Sequence, residues 1–364
     1  MSVFHDKGFF TKAVHGGEPR EMSATPIYQN VTFQGVYYRR TNPTVEVLEK
    51  KMAILENGED AIATASGMAA ITQTLLTLLK NGDHIVAHKC LYVGTYRFIR
   101  DYLPKFGINV SFIDFRDLSL LENVLRKKKT KIVYFEPISN PLLEVIDVKA
   151  VIDLAHEYEA AVIVDNTFTT PYLIQPLSLG ADIVVHSATK YLSGHGDTIG
   201  GVIVGSKEVT EKIREGRKIF GGVISPLNAF LIIRGIKTLP LRMEKHCSNA
   251  QKIAEFLAGH PKIVSVRYPG LALHPDHFVA ARQFKCFGGM IGVEITGGTK
   301  KIEEFTSQLR ICKPYTSLGD VSTLLTWYEQ DENRGIPDGY IRISVGIEDA
   351  EDIISDLDQA LKAI

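Results

Sequence analysis

Short apolar runs alternate with longer segments of helical apolar spacing from residue 61 to residue 204. Such runs are typical of strands that are buried on both faces of a sheet, and the segments between them are long enough for crossover helices. The runs occupy residues 61–65, 84–87, 110–113, 131–135, 161–164, 183–185 and 202–204. This alternation predicts an α/β fold in which a mostly parallel sheet is flanked by helices.

Polar residues follow several of these runs, among them Asn140 and Lys190, at the edge where open α/β sheets bind ligands. Lys190 has Ser187 and Thr189 beside it. Burial would hold its amine nearer the neutral form, which condenses with an aldehyde, and the hydroxyls suit a phosphate. Pyridoxal phosphate carries both groups on one molecule, although this stretch alone also fits a lysine that simply reaches water.

Two charged residues lie at the end of, or within, predicted strands. Asp165 ends the run at 161–164, where a carboxylate needs a positive or hydrogen-bonding partner, and a pyridinium nitrogen is one such partner. Arg342 lies within a strand pattern, on the face opposite the apolar residues, where it could pair with a substrate carboxylate. The alternatives are a helix cap or buried salt bridge for Asp165 and an exposed strand arginine for Arg342.

Two further stretches are suited to a phosphate. Gly67, between Ser66 and Met68, joins a strand to a helix whose first N–H groups are unpaired. Tyr37 and Arg39 belong to an aromatic and guanidinium cluster in the irregular N-terminal segment. Taken alone, these stretches also fit an ordinary strand-to-helix turn and an exposed surface turn.

Composition excludes several classes of protein. A formal net charge of −1 gives no support for a nucleic-acid or anionic-membrane partner. No long apolar span and no signal-peptide pattern is found, which predicts a soluble cytoplasmic protein. The four cysteines are far apart in the sequence, so we expect neither a disulfide framework nor a zinc site. His274 and His277 have no third ligand nearby, and no metal site is expected.

The chain divides into three expected parts. Glycine and proline punctuation predicts that residues 1–42 form an extended arm that contacts a neighbouring subunit. Residues 43–241 are expected to form a large cofactor-binding α/β domain. The pattern changes near residue 242, which predicts a small C-terminal α+β domain over residues 242–364.

An ordered set of motifs runs nearly from end to end of the chain. The motifs are Tyr37-x-Arg39-x-x-Asn42-Pro43-Thr44, Ala65-Ser66-Gly67-Met68, Leu91-Tyr92, Ser139-Asn140-Pro141, Asp165-Asn166-Thr167, His186-Ser187-Ala188-Thr189-Lys190-Tyr191, Ser317-Leu318-Gly319 and Arg342-x-Ser344-x-Gly346-x-Glu348. This set resembles the Cys/Met metabolism family of pyridoxal-phosphate enzymes, the group of cystathionine γ-synthase, cystathionine γ-lyase and methionine γ-lyase. The resemblance implies fold-type I, pyridoxal 5'-phosphate as cofactor, and a homotetramer, a dimer of dimers, with active sites shared across the dimer.

The resemblance also implies three groups of site residues. The catalytic residues are Lys190, Tyr92 and Asp165. The cofactor-binding residues are Tyr37, Arg39, Gly67, Met68, Tyr92, Asn140, Asp165, Ser187, Thr189 and Lys190. The residues that bind the substrate carboxylate are Asn140, Ser317 and Arg342. Within the cofactor-binding group, Tyr37 and Arg39 would reach the phosphate from the neighbouring subunit.

Departures from the family motifs concern the choice of reaction. Ser322 stands where many relatives have Glu, Gly94 stands where methionine γ-lyases usually have Cys, and residues 326–333 replace a common His-Pro-Ala-Ser-x-Thr-His stretch. We expect γ-replacement, which forms L-cystathionine from an O-activated homoserine and L-cysteine. The alternatives are γ-elimination on cystathionine or methionine, and O-acylhomoserine sulfhydrylation. The motifs disfavour an aminotransferase or decarboxylase, and the presence of Lys190 and Asp165 disfavours a non-catalytic protein.

Overall fold

The computed structural model describes residue 4, residues 6–331 and residues 334–364. Its helices are α1 (Phe9–His15), α2 (Pro43–Glu56), α3 (Gly67–Leu78), α4 (Val93–Arg97), α5 (Leu118–Lys127), α6 (Val148–Glu157), α7 (Thr170–Leu173), α8 (Lys207–Phe220), α9 (Pro226–Ile236), α10 (Leu239–Ala258), α11 (His277–Gln283), α12 (Ile302–Ser307) and α13 (Ala350–Lys362). Its strands are β1 (Thr32–Phe33), β2 (Val36–Tyr37), β3 (Asp60–Thr64), β4 (His84–His88), β5 (Asn109–Ile113), β6 (Ile132–Phe135), β7 (Ala161–Asp165), β8 (Ile183–Ser187), β9 (Gly201–Gly205), β10 (Ile263–Arg267), β11 (Met290–Ile295), β12 (Leu324–Trp327) and β13 (Tyr340–Ser344).

A seven-stranded sheet in the order β3-β9-β8-β7-β6-β4-β5 forms the centre of the larger part of the chain. The neighbours from β8 to β5 pair in parallel, whereas β9 is antiparallel to both of its neighbours. The predicted mostly parallel sheet flanked by helices is therefore confirmed. Because β6, β7 and β8 are parallel, the polar residues that follow them meet at one edge.

Apolar side chains cover both faces of this sheet. Val133 and Val162 belong to one buried cluster, to which α2 and α6 also contribute. Ile132 and Ile163 belong to a second cluster, which includes residues of α3 and α8. Successive strand residues point to opposite faces, so a strand that packs against helices on both sides must be apolar at nearly every position.

Local signals fix both ends of α2. The Asn42 side chain accepts the Thr44 N–H at 3.0 Å, and Pro43 occupies the first helical position, where its missing N–H costs nothing. Asn57 ends the helix in the left-handed conformation, with φ of 56°.

A four-stranded antiparallel sheet in the order β10-β11-β13-β12 forms the centre of the C-terminal part. Helix α10 passes between the two parts. Its Met243 packs in the same cluster as α2, whereas its Ala250 and Ile253 pack in the cluster around the small sheet. The division between residues 241 and 242 stays a prediction, and it falls inside this shared helix.

Residues 9–15 are helical, although the glycines and prolines of the N-terminal segment predict an irregular arm. Ala13 is fully buried, and the buried Lys51 of α2 donates from Nζ to the Ala13 carbonyl at 2.8 Å. Packing against α2 therefore supports a helix that is too short to be stable alone. Residues 1–3 and 5 of the expected arm lie outside the described residues.

The structure brings together two cysteines that are far apart in the sequence. Cys247 and Cys286 are free thiols whose Sγ atoms lie 2.8 Å apart, because α10 packs against the segment before β11. Sequence separation did not indicate this contact. Over the described part of the chain, no helix is long and apolar enough to cross a membrane.

Candidate active site

A cavity of about 360 Å³ lies at the carboxyl ends of β6, β7 and β8. Most of the predicted site residues line it. They are Gly67, Met68, Tyr92, Asn140, Asp165, Ser187, Thr189, Lys190, Ser317 and Arg342. The two parts of the chain thus contribute to one site, since Ser317 and Arg342 come from the C-terminal part.

The Lys190 amine lies in this cavity, just beyond the end of β8. Its Nζ donates a hydrogen bond to Ser317 Oγ at 3.2 Å. Burial, together with the positive charge of Arg342, lowers the pKa of Lys190 to about 8. A larger share of the amine is therefore neutral near pH 7, and the neutral amine is the form that attacks a carbonyl carbon.

Asp165 is the last residue of β7, and it is buried at the cavity wall. Its Oδ1 accepts the Thr167 N–H at 3.1 Å, and its Oδ2 accepts the Tyr134 hydroxyl at 3.3 Å. Burial raises the pKa of Asp165. Among the described residues no side-chain cation lies within 4.0 Å of this carboxylate, so a ligand with a protonated ring nitrogen would supply the missing partner.

The start of α3 forms another wall of the cavity. Ser66 caps the helix by accepting the Ala69 N–H at 3.0 Å. The N–H groups of Gly67 and Met68 belong to the first turn, where backbone N–H groups have no partner within the helix. A Cβ atom on Gly67 would lie 2.6 Å from the Ser187 Cβ, so only glycine lets the Ser187 hydroxyl approach this closely. A helix start beside a hydroxyl is suited to a phosphate.

The amine, the buried carboxylate and the helix start line one cavity. They correspond to the aldehyde, the ring nitrogen and the phosphate of pyridoxal phosphate. The residues therefore fit the predicted cofactor.

Arg342 lies on β13 and is buried, with its guanidinium held by two partners. Its Nη1 donates to Asn140 Oδ1 at 2.6 Å, and its Nη2 donates to the Ser317 carbonyl at 3.1 Å. Its Nε has no hydrogen-bond partner within the described part of the chain. A fixed guanidinium with a spare donor is suited to a substrate carboxylate.

Tyr92 lies at the rim of the cavity and is 43% exposed. Its backbone N–H donates to Glu136 Oε1 at 2.7 Å. A Cβ atom on Gly94 would lie 2.6 Å from the Tyr92 ring. Glycine at position 94, where methionine γ-lyases usually carry Cys, therefore leaves room for the ring in its present position.

Tyr37 and Arg39 do not line the cavity of this chain. Tyr37 belongs to β2 and is exposed, and the Arg39 guanidinium lies 5.1 Å from the centre of its ring. Their contact with the phosphate of a neighbouring subunit stays a prediction.

The lining also includes residues that the motifs did not assign, among them Glu136, Tyr328 and Arg334. Glu136 follows β6 just as Asp165 ends β7, so the same signal was present in the sequence. Tyr328 and Arg334 belong to an irregular segment that carries no such signal, and residues 332–333 within it lie outside the described residues.

The histidines of the 274–277 stretch serve local structure. His274 Nδ1 accepts the Asp276 N–H at 3.1 Å, and His277 Nδ1 contacts the Pro269 carbonyl at 2.8 Å. Among the residues that the structure describes, no group of three or more His, Cys, Asp or Glu is placed to hold a metal ion.

The chain is similar to one protein family over nearly its whole length. The family model described as Cys/Met metabolism PLP-dependent enzyme matches residues 11–362. The L-methionine gamma-lyase of Fusobacterium nucleatum subsp. polymorphum is 46% identical, and the alignment covers 98% of each chain. The crystal structure of metB from Corynebacterium glutamicum has a TM-score of 0.94 at 39% identity and covers 98% of each chain. The cystathionine gamma-lyase of Lactobacillus plantarum, complexed with L-serine, has a TM-score of 0.92 at 37% identity over 98% of this chain and 99% of that one.

The lowered pKa of Lys190 predicts how pH controls cofactor capture. Because only the neutral amine reacts, the rate at which apoenzyme binds pyridoxal phosphate should rise with pH and level off above about 8. Arg342→Met should move the midpoint upward, because it removes a positive neighbour. Stopped-flow absorbance measures the rate, and the same titration with a free amine corrects for ionisation of the cofactor itself. A rate that keeps rising beyond pH 10 would contradict the lowered pKa.

Gly67→Ala tests the helix start as the phosphate site. The new methyl group would displace Ser187, so we expect pyridoxal phosphate to dissociate about tenfold or more faster, which is the loss of one charge-assisted hydrogen bond. Release of cofactor into an acceptor protein measures the rate. Gly8→Ala is the control, because nothing lies within 4 Å of a Cβ atom at Gly8. Equal release rates for the two variants would refute the assignment.

Proposed function

The chain belongs to the family of Cys/Met metabolism PLP-dependent enzymes, and on this premise we propose that it catalyses γ-elimination. The substrate would be a thioether amino acid such as L-methionine. The observation that carries the proposal is the similarity to an L-methionine gamma-lyase over 98% of both chains. The sequence motifs favoured γ-replacement as the main reaction, but the relatives support the alternative of γ-elimination better.

The acidic residues of the cavity also favour this substrate. The carboxylates on its lining are Glu136 and Asp165, and both are buried and accept hydrogen bonds from the chain. Ser322 does not line the cavity and is paired with Lys313 Nζ at 3.4 Å. The described lining therefore offers no free carboxylate for the second ammonium group that cystathionine carries. Methionine has no such group.

Binding would begin at the carboxylate of the substrate. Arg342, held by Asn140 and the Ser317 carbonyl, would orient that carboxylate and place Cα beside the Lys190 amine. Bound pyridoxal phosphate withdraws electrons from the Cα–H bond, which makes the proton removable. Asp165 would hold the ring nitrogen of the cofactor in its protonated form.

Proton transfer would then fall to two residues of this chain. The neutral amine of Lys190 would accept a proton from Cα, release it, and then accept one from Cβ. The hydroxyl of Tyr92, at the rim, would give a proton to the sulfur as the Cγ–S bond breaks. For methionine the balance is one amino acid and one water in, and methanethiol, 2-oxobutanoate and ammonia out.

The complete site would need a second copy of the chain. Tyr37 and Arg39 lie outside the cavity of their own chain, on an arm whose Val31 is also exposed. A neighbouring arm could bring them to the phosphate. The proposed unit is a dimer with shared sites, assembled further into a tetramer.

A substrate panel on the purified holoenzyme tests the reaction. We expect methanethiol and 2-oxobutanoate from L-methionine alone, at a higher rate than 2-oxobutanoate from cystathionine. Lys190→Ala is the control and should lose both products. Cystathionine that forms only when an activated homoserine and cysteine are supplied together, with no product from methionine, would show γ-replacement instead.

Mixing two inactive variants tests the shared site. If Arg39 acts across the dimer, Arg39→Ala and Lys190→Ala subunits should form hybrids with one intact site, which restores roughly a quarter of the activity. The control pair is Asp165→Ala with Lys190→Ala, which share one cavity and should restore nothing. If the mixture of Arg39→Ala and Lys190→Ala subunits restores no activity although native mass spectrometry shows hybrid dimers, Arg39 does not act in the partner's site.

A further inference from the structure

Glu136 holds two parts of the site through its two oxygens. It follows β6, is buried, and lines the cavity. Its Oε1 accepts the Tyr92 N–H at 2.7 Å, and its Oε2 accepts the Asn140 N–H at 3.0 Å. One carboxylate therefore joins the loop that carries Tyr92, after β4, to the loop that carries Asn140, after β6.

Arg334 holds the same two loops by donating hydrogen bonds to their backbone carbonyl oxygens. It is buried, and its Nη2 donates to the Leu91 carbonyl at 2.8 Å and to the Asn140 carbonyl at 3.1 Å. Its guanidinium also lies 5.7 Å from the centre of the Tyr96 ring, which belongs to α4. Among the described residues no carboxylate lies within 4.0 Å of the guanidinium nitrogens, and their hydrogen bonds go to backbone carbonyls.

The two residues meet at one peptide unit. The Leu91 carbonyl and the Tyr92 N–H belong to the same planar peptide group. Arg334 holds its oxygen and Glu136 holds its hydrogen, so the plane cannot rotate without breaking a hydrogen bond on each side. The orientation of this plane sets φ of Tyr92 and with it the direction in which the ring leaves the chain.

We propose that Glu136 and Arg334 act together as positioning residues that fix Tyr92 and Asn140 for cofactor and substrate. This inference rests on the roles that the proposed function gives to Tyr92 and Asn140. Asn140 in turn holds Arg342 through Oδ1, so the same pair reaches the residue that binds the carboxylate.

Hydrogen bonds that only joined the two loops to each other would not require charged side chains. Burying a carboxylate and a guanidinium costs free energy unless their charges are compensated, whereas neutral side chains can bond the same backbone groups at lower cost. The Arg334 guanidinium stays ionised, and a charged donor gives the shorter and stronger bonds, which hold a peptide plane more tightly. Burial and the nearby Asp165 raise the pKa of Glu136, and its two N–H bonds and the charge of Arg334 oppose that rise. This pairing suits a site in which a small displacement of Tyr92 changes the rate.

Glu136→Gln and Arg334→Met test the pair. Gln keeps the size of Glu136 but has one acceptor oxygen, so either the Tyr92 N–H or the Asn140 N–H loses its partner. We expect altered visible circular dichroism per bound cofactor and a turnover number lowered about tenfold to a hundredfold, as for a reacting group displaced by about 1 Å. Arg334→Lys should recover part of the loss, because its ammonium can still donate to both carbonyls.

A double-mutant cycle separates positioning from stability. If Glu136 acts through Tyr92, the rate of cofactor release should respond to Glu136→Gln in the native background and much less in a Tyr92→Ala background. Asp356→Asn is the matched control, since Asp356 is a buried carboxylate that accepts the backbone N–H groups of residues 310, 311 and 312. It should lower the melting temperature and leave the circular dichroism of the cofactor unchanged.

The proposal is overturned by native circular dichroism and native turnover in both Glu136→Gln and Arg334→Met. It is also overturned by equal effects of Glu136→Gln in the two backgrounds. If Glu136→Gln fails to fold, Arg334→Met and Arg334→Lys decide alone. Circular dichroism and cofactor release are measured without substrate, so these outcomes do not depend on whether the reaction is elimination or replacement.

Discussion

Lys190, Asp165 and Arg342 are charged groups that lie buried or half-buried around one cavity, and each charge costs free energy unless a partner compensates for it. Arg342 has the Asn140 side chain and the Ser317 carbonyl, whereas the described partners of Asp165 are neutral donors. Burial lowers the pKa of Lys190 and raises the pKa of Asp165. The amine of Lys190 is thus suited to an electrophilic carbon, and the carboxylate of Asp165 is suited to a cationic ring. Pyridoxal phosphate carries both of these features.

The sequence predicted the large sheet because its strands are buried on both faces and must be apolar at nearly every position. For the same reason a polar residue at the end of such a strand was a strong signal, which located Asp165 and Lys190. The signal applied equally to Glu136, whose strand ends in the same way, but no family motif drew attention to it. Physical reasoning alone could have found this residue.

Other features depended on contacts between distant segments. Helix α1 forms because Ala13 packs on α2, and the Cys247 and Cys286 thiols meet because α10 packs against the segment before β11. Arg334 lies in an irregular segment, so no periodicity indicates that its side chain turns inward to the Leu91 carbonyl. Local sequence indicates strands, helix caps and turns, but it does not indicate these contacts between distant segments.

The departures from the family motifs do not include the Lys190 amine, the Asp165 carboxylate or the start of α3. Gly94 is beside the Tyr92 ring, and Tyr328, which belongs to the replaced stretch 326–333, reaches the cavity from the segment that follows β12. The amine, the buried carboxylate and the helix start keep the family pattern. The proposed roles of Lys190 and Asp165 are common to elimination and replacement, whereas the proposed choice of substrate concerns the residues at the rim. On the proposed function, a change of reaction would therefore require changes at the rim and would leave the amine, the buried carboxylate and the helix start as they are.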